Sequence, residues 1–287
     1  MKKSWFKDTL IDGLWQYSQM ILLVAVLVVP MVLNFQNTIE NELLDTSKTS
    51  DIDIIKMVLL FLIKKGNIFI GIGLCIFLFI ILHKNNENIR LNSGNHYHVH
   101  SYAYYWICSH ILGFKKCSLI LVPIYMQIKL IINEVFAEFY YGDDSFYKEE
   151  HGNEEDLIRI TEHNTEKSDT VLVNIIVSDT YPIELKSIPQ LYSSNYTICI
   201  ERIHNQHSKS RVYSLALIEA LNNQICKLRG SRKINLFATT NPKNLYFIAN
   251  NTFKKAGRTN ITNLYVFTQN NGSLNDWKFD ECGKRVL

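Results

Sequence analysis

The chain has 287 residues, of which 47% are hydrophobic and 20% are charged, and its formal net charge is +3 at pH 7. So small a charge excludes recognition of polyanions by bulk electrostatics, and any nucleotide recognition must be local. The 6 cysteines form no Cys-x-x-Cys pair, and Cys75 lies within an apolar run. This pattern indicates reduced thiols of a cytoplasmic protein and not a disulfide framework.

Two apolar stretches near the amino terminus are predicted to cross a membrane. The first covers about residues 15–35 and the second about residues 64–83. Runs of about 20 apolar residues cross bilayers as helices, because a helix satisfies its own backbone hydrogen bonds in hydrocarbon. We therefore predict a two-helix transmembrane region at residues 1–83.

The charges around these stretches predict their orientation. Basic residues flank the two helices on their outer sides (Lys2, Lys3, Lys7, Lys84, Arg90), whereas the loop between the helices is mainly acidic (Glu40, Glu42, Asp45, Asp51, Asp53). Basic flanking residues stay on the cytoplasmic side of a membrane. We expect a two-pass protein of the bacterial inner membrane with both termini in the cytoplasm, the bacterial origin being suggested by the abundance of Lys, Asn and Ile.

Lys64 and Lys65 interrupt the lead-in to the second stretch. A lysine at mid-membrane costs about 2.5–3.5 kcal/mol on insertion scales, so these two side chains cannot simply face lipid. One interpretation places them at the outer interface, with the helix starting near Gly66 and residues 57–63 lying along the surface. The other gives them a place at a pore or subunit interface, which would require an oligomer because two helices cannot enclose a pore.

Residues 84–168 are predicted to be a helical connector. Its main element is an unusually apolar amphipathic helix from Leu119 to Phe139, with apolar residues at spacings of three and four. Polar residues within it argue against a third membrane span. We expect this helix to pack against a neighbouring subunit or the inner membrane surface.

Two groups of connector residues resemble metal ligands. They are His96, His98, His100, Cys108 and His110, and the acidic residues Asp143, Asp144, Glu149, Glu150, Glu154 and Glu155. A strand would place the three alternating histidines on one face, and imidazole and thiolate bind zinc. Neither the spacing of a helical site nor a second ligand pair is present, so we interpret the first group as partly exposed polar residues near the membrane surface. We interpret the acidic run as a solvated loop and predict no metal.

Residues 169–287 are predicted to form a cytoplasmic α/β, Rossmann-like domain with a parallel sheet. Strands are expected at Val171–Val177, Tyr196–Ile200, Lys233–Ala238 and Asn263–Thr268, and helices at Ser210–Leu228 and Asn241–Ala256. Strands that alternate with helices pair in parallel through right-handed crossovers.

Parallel sheets bind ligands beyond the carboxyl ends of their strands, where two turns of this domain lie. They contain the candidate ligand-binding residues, Ser178, Asp179 and Thr180 after the first strand, and Thr239, Thr240, Asn241, Lys243 and Asn244 after the central strand. Asn241 and Pro242 suit the start of a helix, whose free N–H groups would bind a phosphate with help from Lys243. The alternative is a routine helix start without a ligand.

The order of these motifs resembles the latter part of a SAVED domain. The resemblance is carried by the Ser-Asp-Thr turn, Ile188-Pro189, the run from Ile234 to Pro242 (Ile-Asn-Leu-Phe-Ala-Thr-Thr-Asn-Pro) and Val266-Phe-Thr. SAVED domains are relatives of CARF domains, the Rossmann-like sensors of cyclic oligonucleotides in bacterial antiphage systems. The helix after the family's proline usually carries a glycine where this chain has Asn250-Asn251.

The resemblance implies a layout similar to CBASS-type and Hailong-type membrane effectors. Its ligand would be an oligonucleotide, cyclic or linear, made by a nucleotidyltransferase, with no duplex nucleic acid and no other cofactor. We expect an oligonucleotide-gated ion channel or pore that acts in antiphage defence, formed in the lipid bilayer by a homo-oligomer, a tetramer or larger. The alternative is a membrane-anchored protein-interaction module without a pore. Since no P-loop, GxSxG or HExxH motif is present, an enzyme is not expected.

Overall fold

The computed structural model describes residues 2–33, 66–142, 157–203, 213–230, 232–254, 261–271 and 277–287. The chain divides into two compact units. We name them after the sequence predictions: the membrane unit, with the predicted spans, consists of Met1–Arg90 and Ala103–Lys115, and the sensor unit, with the predicted sensor domain, consists of Leu91–Tyr102 and Lys116–Leu287. The chain therefore passes between the units three times, which joins them covalently at three places.

Two long helices form most of the membrane unit. They are α1 (Lys2–Val32) and α2 (Gly66–Asn86), which contain candidate membrane spans at Gly13–Val32 and Gly66–Asn86. Most of their large apolar side chains are exposed, as expected of surfaces that face lipid. Lys64, Lys65 and the predicted surface segment at residues 57–63 lie outside the described residues.

The two helices approach each other closely at a glycine. A Cβ atom added to Gly71 would lie 2.7 Å from the carbonyl oxygen of Leu27, whereas one added to Gly73 would meet nothing within 4 Å. Small residues allow membrane helices to pack at short distance, where dispersion contacts and polar pairs hold them together. Gly71 therefore sets the contact between α1 and α2.

A buried amide pair joins the helices near one end of the hairpin. Gln19 Nε2 donates to Asn86 Oδ1 at 3.3 Å, and Asn86 Nδ2 donates to Gln19 Oε1 at 2.9 Å. Asn86 Nδ2 also donates to the carbonyl oxygen of Leu112 at 2.7 Å. Residue 112 follows α3 (Tyr102–His110), so this one side chain links both spans to the turn after α3.

The rest of α3 and the turn after it are packed within the membrane unit. The rings of Tyr17 and Tyr104 lie 5.5 Å apart. Gly113 has a φ of 83°, and a Cβ there would lie 2.5 Å from the Cα of His83, so this position requires glycine. Burial raises the pKa of the Cys108 thiol in α3 to about 12.

The elements of the sensor unit follow in chain order. After β1 (Arg90–Leu91), at the boundary of the two units, they are β2 (Lys116–Ser118), α4 (Ile124–Ile132), β3 (Glu138–Tyr140), β4 (Ile158–His163), β5 (Leu172–Ser178), β6 (Tyr196–Arg202), α5 (Leu215–Lys227), β7 (Arg232–Thr239), α6 (Pro242–Ile248), β8 (Ile261–Phe267), β9 (Gln269–Asn271), β10 (Trp277–Phe279) and β11 (Lys284–Arg285). The four strands predicted from the sequence are confirmed as β5, β6, β7 and β8.

A six-stranded sheet in the order β11-β8-β7-β5-β6-β4 is the centre of the sensor unit. β8, β7, β5 and β6 are parallel, and the edge strands β11 and β4 are antiparallel to their neighbours. The predicted α/β domain with a parallel sheet is thereby confirmed. β2 and β3 pair in parallel in a separate small sheet, and β9 and β10 form an antiparallel pair.

The two faces of the large sheet are covered differently. Successive side chains of a strand point to opposite faces, so Val173, Ile175 and Val177 of β5 face one side and Ile176 the other. The first side belongs to a large core that includes residues of α4, α5 and α6. The second side has a small core that contains Ile188, from the loop after β5, and aromatic residues.

A row of buried polar side chains joins three strands to that loop. Asn235 Nδ2 donates to Asn174 Oδ1 at 3.1 Å. Asn174 Nδ2 in turn donates to Thr197 Oγ1 at 3.1 Å and to the carbonyl oxygen of Tyr192 at 2.7 Å. Because buried amides are costly unless they are hydrogen-bonded, this row fixes the position of the loop on the sheet.

The predicted helix from Leu119 to Phe139 is wrong at both ends. α4 follows Pro123 and ends at Ile132, and Phe139 lies in β3. Pro123 has an extended backbone, and Glu134 adopts a φ of 48°, a left-handed conformation that stops a helix. Leu119 is buried nonetheless, so its apolar character reflects burial and not helical structure.

The predicted connector at residues 84–168 is not uniformly helical, and its boundary cuts through the large sheet. It contains β1, β2 and β3 beside α3 and α4, and its last strand, β4, pairs with β6 from Ile158 opposite Arg202 to His163 opposite Thr197. The interior residues of β4 are exposed at this edge. A strand with so little burial lacks the apolar pattern by which strands are predicted.

Two predicted helix boundaries also differ. α5 begins after Ser214, whose side chain accepts a hydrogen bond from the Leu217 amide at 3.1 Å, and residues 210–212 of the predicted start lie outside the described part of the chain. α6 begins as predicted, at Asn241 and Pro242. It continues as a π-helical turn at Ala249–Phe253, where the chain carries Asn250-Asn251.

Candidate ligand site at the carboxyl edge of the sheet

The two predicted turns lie next to each other at the point where the strand order of the sheet reverses. β5 and β7 are parallel neighbours, with Ser178 opposite Thr239 at their carboxyl ends. The chain leaves β5 toward β6 on one side and leaves β7 toward β8 on the other. Ligands of open parallel sheets bind at such a switch point. The structure therefore brings together the turns that the sequence indicates.

Backbone and hydroxyl groups lock these turns to each other. The amides of Asp179 and Thr180 donate to the carbonyl oxygen of Thr239 at 3.0 and 2.8 Å, and Thr180 Oγ1 lies 3.1 Å from the same oxygen. Thr239 Oγ1 donates to the carbonyl oxygen of Tyr181 at 2.5 Å, and Ser178 Oγ accepts from the Ile183 amide at 3.1 Å. The loop after β5 is thus held against the end of β7.

Asp179 is the centre of this network. Its Oδ2 accepts hydrogen bonds from Thr240 Oγ1 at 2.9 Å, Asn241 Nδ2 at 3.2 Å and Asn244 Nδ2 at 2.8 Å. Its Oδ1 pairs with Arg202 Nε at 2.9 Å, and the two side chains are 0% and 2% exposed. A buried ion pair of this kind persists only when further hydrogen bonds compensate for the loss of water.

The protein's own carboxylate occupies the position in which a phosphate was expected. The Asn241 amide lies 3.4 Å from Asp179 Oδ2, and the Asn244 amide donates to Asn241 Oδ1 at 2.9 Å. Asn244 Oδ1 accepts from the Ser214 amide at 3.0 Å, which ties the start of α5 to the same turn. Lys243 Nζ lies 5.2 Å from the centre of the Tyr213 ring.

The predicted site residues are thus assembled, but mostly as a buried structural network. Ser178, Asp179, Thr239, Asn241 and Asn244 are buried. Thr180, Thr240 and Lys243 are half-buried. Direct ligand contact by these residues stays a prediction, and the geometry gives the buried ones a structural role.

A cleft of about 660 Å³ opens beside this network. Its lining consists of Tyr97, Tyr181, Pro182, Glu184, Lys186, Ser187, Gln269 and Trp277. Residues 181–187 follow β5, and residues 269 and 277 lie in the β9–β10 pair that follows β8. The cleft therefore belongs to the carboxyl edge of the sheet, where such folds bind ligands.

Sequence reasoning missed the lining of this cleft. Tyr181 directly follows the Ser-Asp-Thr turn, and an exposed aromatic residue beside a predicted turn is a usable signal. Tyr97 lies between His96 and His98, where no pattern marks it as a binding residue, and Trp277 lies in a strand too short to be predicted from a pattern. Their common location depends on the tertiary structure.

The residues that resemble metal ligands are not brought together in the part of the chain that the structure describes. Residues 96–100 form no strand, and His98 and His100 are buried, so the interpretation of these two histidines as partly exposed residues is wrong. His98 Nε2 lies 3.1 Å from the carbonyl oxygen of Gly94. Among the described residues, no group of three or more His, Cys, Asp and Glu side chains is arranged to hold a metal ion. The acidic residues from Asp143 to Glu155 lie outside those ranges.

Comparisons with known proteins give a family match and several matches among solved structures. The chain is similar to the structure of an Acinetobacter baumannii Cap4 SAVED/CARF-domain containing receptor with the cyclic trinucleotide 3'3'3'-cAAA, at 9% identity and a TM-score of 0.37. The similarity covers 62% of this chain and 40% of the receptor. No curated protein matches the chain.

The family model that matches describes a SMODS- and ubiquitin system-associated 2TM effector domain, and the match spans residues 2–280. The prediction of a two-pass membrane protein agrees with this description and with the two apolar helices. An effector role is likewise in keeping with the expectation of a non-enzymatic function. Because the match covers nearly the whole sequence, the chain belongs to the SMODS- and ubiquitin system-associated 2TM effector family.

Proposed function

We propose that this effector is an oligonucleotide-gated membrane protein whose helices form an oligomeric ion channel or pore in antiphage defence. The observation that carries the proposal is the division of the chain into units. Residues 103–115 are packed with the membrane helices, whereas the segments on both sides of them belong to the sensor unit. A change in the sensor would therefore act on α3 through both of its ends.

The ligand in this proposal is a cyclic or linear oligonucleotide made by a nucleotidyltransferase. Its support is the family's association with SMODS and the parallel sheet with a cleft at its carboxyl edge. For gating, the ligand must bind one state of the sensor more tightly than the other, because equal affinity for both states shifts no equilibrium. The orientation with both termini in the cytoplasm would expose the sensor to such a ligand.

A pore requires several copies of the chain, because two helices enclose no channel. The large exposed apolar side chains of α1 and α2 suit contact with lipid and with neighbouring copies. We therefore propose a homo-oligomer, a tetramer or larger, within the bilayer. The place of Lys64 and Lys65 at the pore or subunit interface belongs to the same proposal.

A second candidate is a membrane-anchored interaction module without a pore. It is favoured by the composition of the described spans. Gly13–Val32 contains no charged residue, and in Gly66–Asn86 the ionisable side chains are His83 and Lys84 at one end and Cys75. Selectivity filters are commonly lined by charged side chains or carbonyl groups, although an apolar constriction can gate by dewetting.

Ion flux from liposomes distinguishes the two candidates. The full chain would be reconstituted in vesicles, and flux would be measured with linear and cyclic di- and trinucleotides of each base on the sensor side. The channel proposal expects a change in flux with at least one nucleotide. Nucleotide binding without any change in flux would support the pore-free module, and absence of both would contradict oligonucleotide gating.

A further inference from the structure

We propose that the cleft lined by Tyr97, Tyr181 and Trp277 is the subsite that takes an unpaired nucleobase of the ligand by stacking. This inference deepens the proposed function and rests on it, because it presupposes that the sensor unit binds an oligonucleotide. The cleft is distinct from the buried Asp179 network, which lies beside it at the same edge of the sheet.

Exposure of the three rings points to a ligand. Tyr97 and Tyr181 are each 68% exposed and Trp277 is 51% exposed, although all three line one concavity. A single exposed aromatic residue is common, but several around a cleft whose volume lies within the range of small-molecule sites indicate a binding surface. Aromatic faces bind any base by stacking, and one unstacked base fits between such side chains.

The polar part of the lining favours a nucleotide over a purely apolar ligand. The Gln269 amide can match both donors and acceptors on the edge of a base, and the Ser187 oxygen, whose proton is donated to Glu184, can accept a hydrogen bond. Lys186 Nζ lies 2.6 Å from Glu184 Oε2, and both side chains are largely exposed. An exposed pair of this kind is weak in water, so Lys186 can turn to a phosphate of the ligand at little cost.

The buried network next to the cleft holds its wall in place. The carbonyl oxygen of Tyr181 accepts from Thr239 Oγ1, and the amide of Ile183 donates to Ser178 Oγ. Ser187 Oγ donates to the carbonyl oxygen of Glu184 at 2.6 Å, which closes a short helical turn. The cleft is thus preformed, which reduces the entropy lost on binding. The residues predicted from the sequence act here as positioning residues.

Tyr97 connects the cleft to the segment that leads to the membrane unit. It lies in Leu91–Tyr102, which belongs to the sensor unit and runs directly into α3. The neighbouring residue His98 is held by a backbone hydrogen bond from its amide to the carbonyl oxygen of Leu121 at 3.0 Å. A base in the cleft would contact a side chain only five residues from the start of α3.

The test is calorimetric titration of the purified full chain in detergent. The probes are linear and cyclic di- and trinucleotides of each base, with an abasic trimer of the same sugar-phosphate backbone as the base-free control. We expect Tyr181→Ala and Trp277→Ala each to weaken binding by about 5- to 150-fold, the range measured for loss of stacking on one base. Tyr181→Phe and Trp277→Phe should retain most of the affinity because they keep an aromatic face.

Leu191→Ala is the matched control, since Leu191 is exposed in the same loop but outside the cleft. Its affinity should equal that of the wild type, and the abasic trimer should bind more weakly than the base-containing trimers. If wild type binds the trimers but both alanine variants bind them equally well, the cleft assignment is overturned and the proposed function stands. If wild type binds none of them, the proposed function itself fails.

Discussion

Exposed apolar side chains have opposite meanings in the two units. In the membrane unit they extend along both long helices, and the buried polar groups are the exception, as in the pair of Gln19 and Asn86. In the sensor unit the large apolar residues are mostly buried in the sheet cores, and exposed rings cluster around one cleft. The meaning of an exposed apolar side chain therefore depends on whether it faces lipid or water. Exposed apolar side chains are ordinary in lipid, whereas in water a cluster of them indicates an interaction surface.

Buried polar groups, by contrast, follow one rule in both units. Asn86 bonds to a side chain and a carbonyl group, and Asp179 bonds to three side chains and an arginine. An unpaired polar group is costly in hydrocarbon and in a protein core alike. Variants that unbalance these contacts should therefore be more harmful than variants at the exposed surfaces of either unit.

The largest effect is expected at the buried ion pair of the sensor unit. Asp179→Asn would remove the carboxylate that pairs with the buried side chain of Arg202, and it should lower the free energy of unfolding by about 3–5 kcal/mol. Thermal unfolding of the full chain in detergent would measure the loss. The double variant Asp179→Asn with Arg202→Met removes both charges and should recover part of the stability. A single variant as stable as wild type would mean that the pair is not structural.

An intermediate effect is expected where the membrane helices touch. Gly71→Leu would force its side chain against the backbone of Leu27, and overpacking of this kind costs about 1–3 kcal/mol. Loss of stability in detergent and altered flux in liposomes would report the separation of the helices. Gly73→Leu is the matched control, because no atom lies within 4 Å of its added Cβ. Equal behaviour of the two variants would contradict the close contact.

The aromatic residues of the cleft should contribute little to folding. Tyr181→Ala and Trp277→Ala remove exposed rings, and we expect each to change the free energy of unfolding by at most about 0.5 kcal/mol. Thermal unfolding without nucleotide is the measurement, with Phe267→Ala, which removes a buried ring of the neighbouring core, as the contrasting variant. A large loss of stability in the cleft variants would show that these rings stabilise the fold. The cleft residues would then not differ from Asp179 in their contribution to the free energy of unfolding.

The smallest effect concerns thiol chemistry. Burial raises the pKa of Cys108 to about 12, so at pH 8 its reactive thiolate is nearly absent in the folded protein. The exposed Cys226 and Cys282 should be alkylated by N-ethylmaleimide well before Cys108. Mass spectrometry of the modified peptides at pH 8, with and without denaturant, would follow this order. Labelling of Cys108 at the rate of the exposed thiols would show that α3 is not packed as described.

Much of this protein follows from its sequence alone, because the signals involved are local. Long apolar runs define two spans, and alternating strand and helix patterns give four parallel strands. The Asn241-Pro242 start of α6 was predictable because an N-cap acts on its own first turn. The exposed edge strand β4 escaped prediction because its side chains are not buried in an alternating pattern. The helix α4 was predicted too long, because the apolar residues on both sides of it are buried outside the helix.

The tertiary structure alone decided which residues form the candidate site. The sequence predicts that the two polar turns lie at one edge of a sheet. Only the fold shows that the Asp179 side chain of the first turn is hydrogen-bonded to the second turn and paired with Arg202 from a third strand. Likewise, Tyr97, Tyr181 and Trp277 are far apart in the chain and share a cleft only because three segments converge. The physical reason is that the hydrogen bonds of a buried side chain and the shape of a cleft depend on contacts between residues distant in the chain. A local sequence pattern contains no information about such contacts.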